Sequence, residues 1–117
     1  MQIPKQATLL RIFLGEADRA DGRPLYEEIV TRARAAGLAG ATVLRGPMGF
    51  GRTSHLHTAK ILRLSTDLPI VIEIVDTEAK VQTFLQTLDA YPASFLVTLA
   101  PVTVVRYGED ASGVTDG

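Results

Sequence analysis

The sequence predicts an α+β fold, one antiparallel sheet with two helices on the same face. Three observations lead there. Four short apolar stretches bounded by Gly, Pro or polar residues read as strands, and two longer ones repeat apolar residues at helical spacing. They follow one another as strand–helix–strand–strand–helix–strand. That order is the split βαβ, ferredoxin-like arrangement (βαββαβ).

The elements are justified in chain order. Residues 1–6 read as a short leader, and Leu9 to Leu14 alternate around Arg11 as a strand. Gly15 to Arg23 is a polar, Gly-containing loop in which Glu16, Asp18, Arg19 and Asp21 are solvated. Pro24 suits the first position of a helix over about 24–36, with Asp21 nearby as a cap. Leu25, Ile29, Ala33 and Ala36 form its apolar stripe, and Gly37 ends it. Ala41 to Arg45 is a second, β-branched strand. Ile61 to Leu64 is ambiguous between strand and helix. Leu68 to Asp76 is the clearest strand, with Pro69 at its start. Asp76 or Thr77 caps a second helix, whose apolar positions are Val81, Phe84, Leu85 and Leu88 and which Tyr91-Pro92 ends. Phe95 to Leu99 is the fourth strand, Pro101 interrupts it, and residues 102–107 form an extra strand.

At 117 residues the chain is one domain, with a core over about 8–109 and a loose tail over 108–117. A net charge of −1 argues against general nucleic-acid affinity, and no apolar run is long enough for membrane insertion. The absence of cysteine removes disulfides, thiol catalysis and thiolate metal sites; a cytoplasmic protein is expected. Two helices cover only one sheet face, yet Val71 and Val75 make the other face of the clearest strand apolar too, which points to an oligomer. Arg11 is expected in an intersubunit ion pair, and Glu73 must be paired or at an edge.

The segment Arg45-Gly46-Pro47-Met48-Gly49-Phe50-Gly51-Arg52-Thr53 carries the chemistry. Gly46, Gly49 and Gly51 let backbone N–H groups approach a ligand closely, and the Arg52 guanidinium offers a planar fork suited to phosphate. Val43 to Arg52, followed by Leu68 to Val75, resembles the nitrogen-regulatory PII signal-transduction proteins, in which a Gly-Phe-Gly-Arg element leads into a long exposed loop and then a Leu-Pro-initiated strand. Val104-Val105-Arg106-Tyr107-Gly108-Glu109 resembles that family's terminal Arg-Thr-Gly-Glu segment. More closely, residues 8–109 resemble a small PII-like family of uncharacterised function, on Gly15-Glu16, Pro24-Leu25-Tyr26, Gly37 to Val43 and Gly46 to Gly51.

The resemblance implies a homotrimer with an adenine nucleotide (AMP, ADP or ATP as effector, not as a required cofactor) in the clefts between subunits. It implies a loop over about 50–64 that touches a protein partner. Gly49, Phe50, Gly51, Arg52 and Arg106 carry over as ligand-binding residues, and the glycine spacing adds Gly46. Two features depart from PII proteins: no tyrosine lies between Arg52 and Pro69, and the connection Asp89-Ala90-Tyr91-Pro92-Ala93 has no glycine-rich phosphate loop. The second departure favours a mono- or diphosphate over a triphosphate.

Other chemistries find less support. Gly46 to Thr53 has Walker A spacing with Arg for Lys, but it does not open into a periodic helix, which argues against a P-loop phosphohydrolase. His55 and His57 read as solvated loop side chains; as metal ligands they would need a symmetric oligomer to complete a site, so a divalent-cation-binding trimer stays open. No nucleophile elbow, Cys–His pair or His-Glu-x-x-His is present, and no enzymatic activity is expected.

Overall fold

The computed structural model describes residues 2–50, 57–58 and 67–116. Four strands, β1 (Gln6–Gly15), β2 (Thr42–Arg45), β3 (Pro69–Asp76) and β4 (Leu96–Thr103), form one antiparallel sheet in the order β2-β3-β1-β4. Helix α1 (Leu25–Ala35) joins β1 to β2, and α2 (Glu78–Leu88) joins β3 to β4. This is the expected α+β, ferredoxin-like order.

The period of two sets the core. On one face Leu10, Ile12 and Leu14 of β1 lie in register with Ile74, Ile72 and Ile70 of β3, all six buried. Leu25, Ile29 and Ala33 of α1 and Val81, Phe84 and Leu88 of α2 close over them. Both helices end as their sequences direct. Glu27 and Glu28 in the first turn of α1 and Arg32 and Arg34 in its last oppose the helix dipole, and Gly37 follows with φ of 77°. Thr77, not Asp76, caps α2: its hydroxyl accepts the Lys80 N–H at 3.1 Å. Asp21 does not cap α1. Pro24 holds that position without a side-chain bond, while Asp21, with φ of 51°, turns the chain between the short paired segments Arg19–Ala20 and Arg23–Pro24.

Among the described residues the opposite face has no helix. Its rows run Leu44, Val71, Phe13, Leu96 and then Thr42, Glu73, Arg11, Thr98, with Leu9, Val75 and Ala100 beyond. Leu44 and Leu96 are 48% and 60% exposed. At the centre Arg11 donates from Nε to Glu73 at 2.8 Å. The expected intersubunit pair is therefore made within one chain, because register places the two residues directly opposite.

Three other expectations are corrected. Pro101 does not interrupt β4, which continues through it to Thr103. As β4 is an edge strand, the missing N–H breaks no ladder of the sheet interior. The extra strand over 102–107 is thus partly this continuation, and residues 104–107 lie outside any strand. Finally, the tail expected to be loose is paired with the leader over part of its length. Ile3–Pro4 pairs in parallel with Val114–Thr115, Lys5 donates its N–H to the Thr115 carbonyl at 2.7 Å, and Ile3 is buried.

Phe84 fills the space between α2 and the sheet. Phe84→Ala is expected to cost about 3–5 kcal/mol and Thr77→Ala about 1 kcal/mol, read by chemical denaturation. Equal losses would contradict this division between core and cap.

Candidate ligand site

Two features outside the core are candidates for a ligand site. The first is the glycine segment. Beyond β2 the chain turns back: Gly46 donates to the Pro69 carbonyl at 2.8 Å, and Met48–Gly49 pairs antiparallel with His57–Thr58. The Pro69 ring lies against this turn. A Cβ at Gly46 would meet Pro69 Cγ at 2.9 Å, and one at Gly49 would meet it at 3.1 Å. Part of the glycine density is therefore a packing requirement at the start of β3. Met48 and Phe50 are exposed, Phe50 by 69%. Arg45, at the end of β2, pairs with Glu16, which is thus not simply solvated. Neighbouring turns are also tied: Asp18 accepts from Gly15 N at 3.0 Å, and Asp67 from Ala17 N at 2.9 Å.

The second feature was not anticipated from sequence. At the far end of the sheet, residues 104–107 leave edge strand β4 and cross the uncovered face towards β2. They line one side of an open hollow of about 680 Å³. Leu9, Val75 and Val102 give it apolar walls; Thr42, Glu73 and Arg106 line it with polar groups. The Tyr107 hydroxyl donates to the Ala39 carbonyl at 2.8 Å, and the Ala39 N–H donates to Asp76 Oδ2 at 2.8 Å. Asp76, buried at the end of β3, also takes the Thr77 N–H at 2.7 Å. One carboxylate thus fixes both the start of α2 and the cavity rim. A few convergent polar groups in a mostly apolar hollow are the usual makeup of a small-molecule site.

The structure places Gly46 and Gly49 beside Pro69, while Phe50, next in the chain, is exposed. Gly51, Arg52, His55 and most of the loop over 50–64 lie outside the described residues. Arg106 is elsewhere, on the cavity, where its Nε donates to the Gly108 carbonyl at 3.1 Å and its Nη2 to the Glu109 carbonyl. The two ends of β3 separate these halves: Pro69 touches the glycine turn, whereas Glu73 and Val75 line the cavity. Glu73 and Val75 lie four and six residues along the strand from Pro69, roughly 13–20 Å. Among the described residues, the chain does not bring Gly46 and Gly49 to Arg106. Sequence reasoning missed Thr42, Glu73 and Val75 because each looked like an ordinary strand residue; only the path of residues 104–107 makes them a lining.

Residues 7–104, nearly all of the sheet and both helices, match the sequence profile of DUF190, described as "Uncharacterized ACR". The chain belongs to the DUF190 family. A UPF0166 protein from Aquifex aeolicus (strain VF5) is 39% identical over 97 residues, covering 83% of this chain and 91% of its own length. A UPF0166 protein from Methanocaldococcus jannaschii is 36% identical over 83 residues, covering 71% and 76%. Among solved structures, this DUF190 chain is similar to CPII, a nitrogen regulatory PII-like protein from Thiomonas intermedia K12, in its complex with ADP and bicarbonate. The TM-score is 0.66 at 20% identity, over 86% of this chain and 90% of that one. At that identity the likeness shows a shared fold, the PII-like one that the glycine segment and terminal residues suggested. Among the described residues no helix is long and apolar enough to cross a membrane.

Asp76 should position the cavity rim. Asp76→Ala is expected to cost about 1–3 kcal/mol, since it leaves the Ala39 N–H without its acceptor. Amide exchange should accelerate first at residues 39–42. Unchanged exchange there would contradict the role.

Proposed function

We propose that this protein is a cytoplasmic PII-like regulator that assembles as a homotrimer, binds an adenine nucleotide between subunits, and acts on a protein partner through the loop over about 50–64. One observation carries the reading: the glycine turn and the Arg106 cavity lie at opposite ends of β3 beside an uncovered apolar face. Among the described residues the two do not meet in one chain. A neighbouring copy seated on that face can bring one chain's turn to another's cavity.

The chemistry of the halves is complementary. The apolar hollow suits a base, with Thr42 and Glu73 as polar contacts at its edge. Gly49, Phe50, Gly51 and Arg52 suit phosphate oxygens through backbone N–H groups and a guanidinium, and Arg106 adds a second cation. CPII, which shares the fold, has been solved with ADP and AMP, and this supports a mono- or diphosphate ligand. The short connection from Asp89 to Ala93 supports the same choice.

Calorimetry against AMP, ADP, ATP, bicarbonate and divalent metals tests the proposal. Binding of an adenine nucleotide without turnover is expected. Arg52→Ala should weaken it roughly ten- to a hundred-fold, the effect of losing one charge-assisted contact, and Gly51→Val should act similarly by blocking close backbone approach. Light scattering should return the mass of three chains for the parent and both variants. A stable monomer, or nucleotide affinity unchanged in both variants, would overturn the reading. Metal binding lost on replacing His55 and His57 would favour a cation module, and steady phosphate release an enzyme.

A further inference from the structure

The segment that runs into β1 and the one that follows residue 107 are tied together beside the hollow. Ile3 and Pro4 lie in parallel register with Val114 and Thr115. The Lys5 N–H donates to the Thr115 carbonyl at 2.7 Å, and the Lys5 carbonyl accepts the Val104 N–H at 2.7 Å. The Gln2 side-chain amide donates to the Ser112 carbonyl at 3.3 Å. Residues 3–5 are therefore clasped between the end of β4 and residues 112–115. Two residue pairs are too few to hold a ribbon in water by themselves. Ile3 supplies the rest: it is 3% exposed, and it is one of the residues lining the hollow.

The other strand of the ribbon reaches the hollow as well. Gly108 turns the chain with φ of 103°, and the Asp110 carboxylate accepts the Ser112 N–H at 2.8 Å. The turn brings Gly113 onto Tyr107, so close that a Cβ at Gly113 would collide with the Tyr107 carbonyl oxygen. Tyr107 also lines the hollow. Val114, the next residue, is the one paired with Ile3. Residues 113–114 thus meet two lining residues directly, Tyr107 by backbone contact and Ile3 by strand pairing.

We propose that this ribbon is part of the ligand site. Ile3 joins Leu9, Val75 and Val102 as an apolar seat for the nucleobase, and residues 113–115 are the positioning residues that hold Ile3 there. This rests on the reading that an adenine nucleotide places its base in the hollow. An aliphatic wall suits the face of a heteroaromatic ring, whose burial follows apolar area. If binding depends on the order of the ribbon, occupancy stabilises the ribbon in return, by linkage.

Calorimetry with ADP and amide exchange, both on the full-length protein, test this. In the parent, ADP should slow exchange at the Lys5 and Val104 amides several-fold; a ribbon that served the fold alone would not respond to ligand. Ile3→Ala should weaken ADP binding several-fold and Ile3→Val should keep most of it, with exchange over 70–76 unchanged, which reports an intact core. Gly113→Ala should weaken binding likewise and speed exchange at both ribbon amides. Parental affinity in either Ile3→Ala or Gly113→Ala overturns this inference and leaves the nucleotide reading standing. A parent that binds no ADP even at millimolar concentration overturns both. If the variants lose protection over 70–76, the parent decides: slower Lys5 and Val104 amides with ADP support the ribbon's part in the site, and unchanged amides overturn it.

Discussion

Among the described residues, two helices of eleven residues each cover one face of a four-stranded sheet and leave the other without a helix. Everything distinctive about this chain depends on that constraint. The covered face holds a conventional core of Leu10, Ile12, Ile70, Ile72, Ile74 and Phe84. The bare face carries apolar rows around one Arg11–Glu73 pair, and water is a poor solvent for it. Among the described residues, the chain covers only one end of that face, with residues 104–107 beyond β4. A hollow lies there, and Glu73 belongs both to the central ion pair and to the hollow's lining. The hollow and the open face thus share a residue.

The cavity rim inherits its rigidity from helix α2. Asp76 ends β3, accepts the Thr77 N–H beside the helix cap and also holds Ala39. A shift at the start of α2 therefore reaches the rim through one carboxylate, with no intervening loop. The glycine turn packs on Pro69 at the opposite end of the same strand. β3 thus sets the separation between the turn and the hollow.

Local patterns were legible in the sequence wherever local physics decided them. Alternation from Leu68 to Asp76 and the stripes of Leu25, Ile29 and Ala33 or Val81, Phe84 and Leu88 are signals that burial enforces. Pro101 misled because the cost of a proline depends on whether its strand lies at an edge, which only topology reveals. Arg11 was assigned to another chain because register, which places it opposite Glu73, is not written in either strand alone. The pairing of Ile3–Pro4 with Val114–Thr115 joins segments at the two ends of the chain, and neither has a strand pattern long enough to announce it. The cavity was hidden for the same reason, whereas the candidate phosphate residues were legible because glycine density and a following arginine are sequence facts.

The central claim is that the two halves of the site come from different chains. Mixing two weakened variants tests it directly: Arg52→Ala, which keeps the cavity half, and Arg106→Ala, which keeps the glycine half. After subunit exchange at equal amounts, a site between chains predicts that about a quarter of the sites regain both arginines and bind ADP with parental affinity. No recovery, with exchange verified by mass spectrometry of mixed oligomers, would contradict the account.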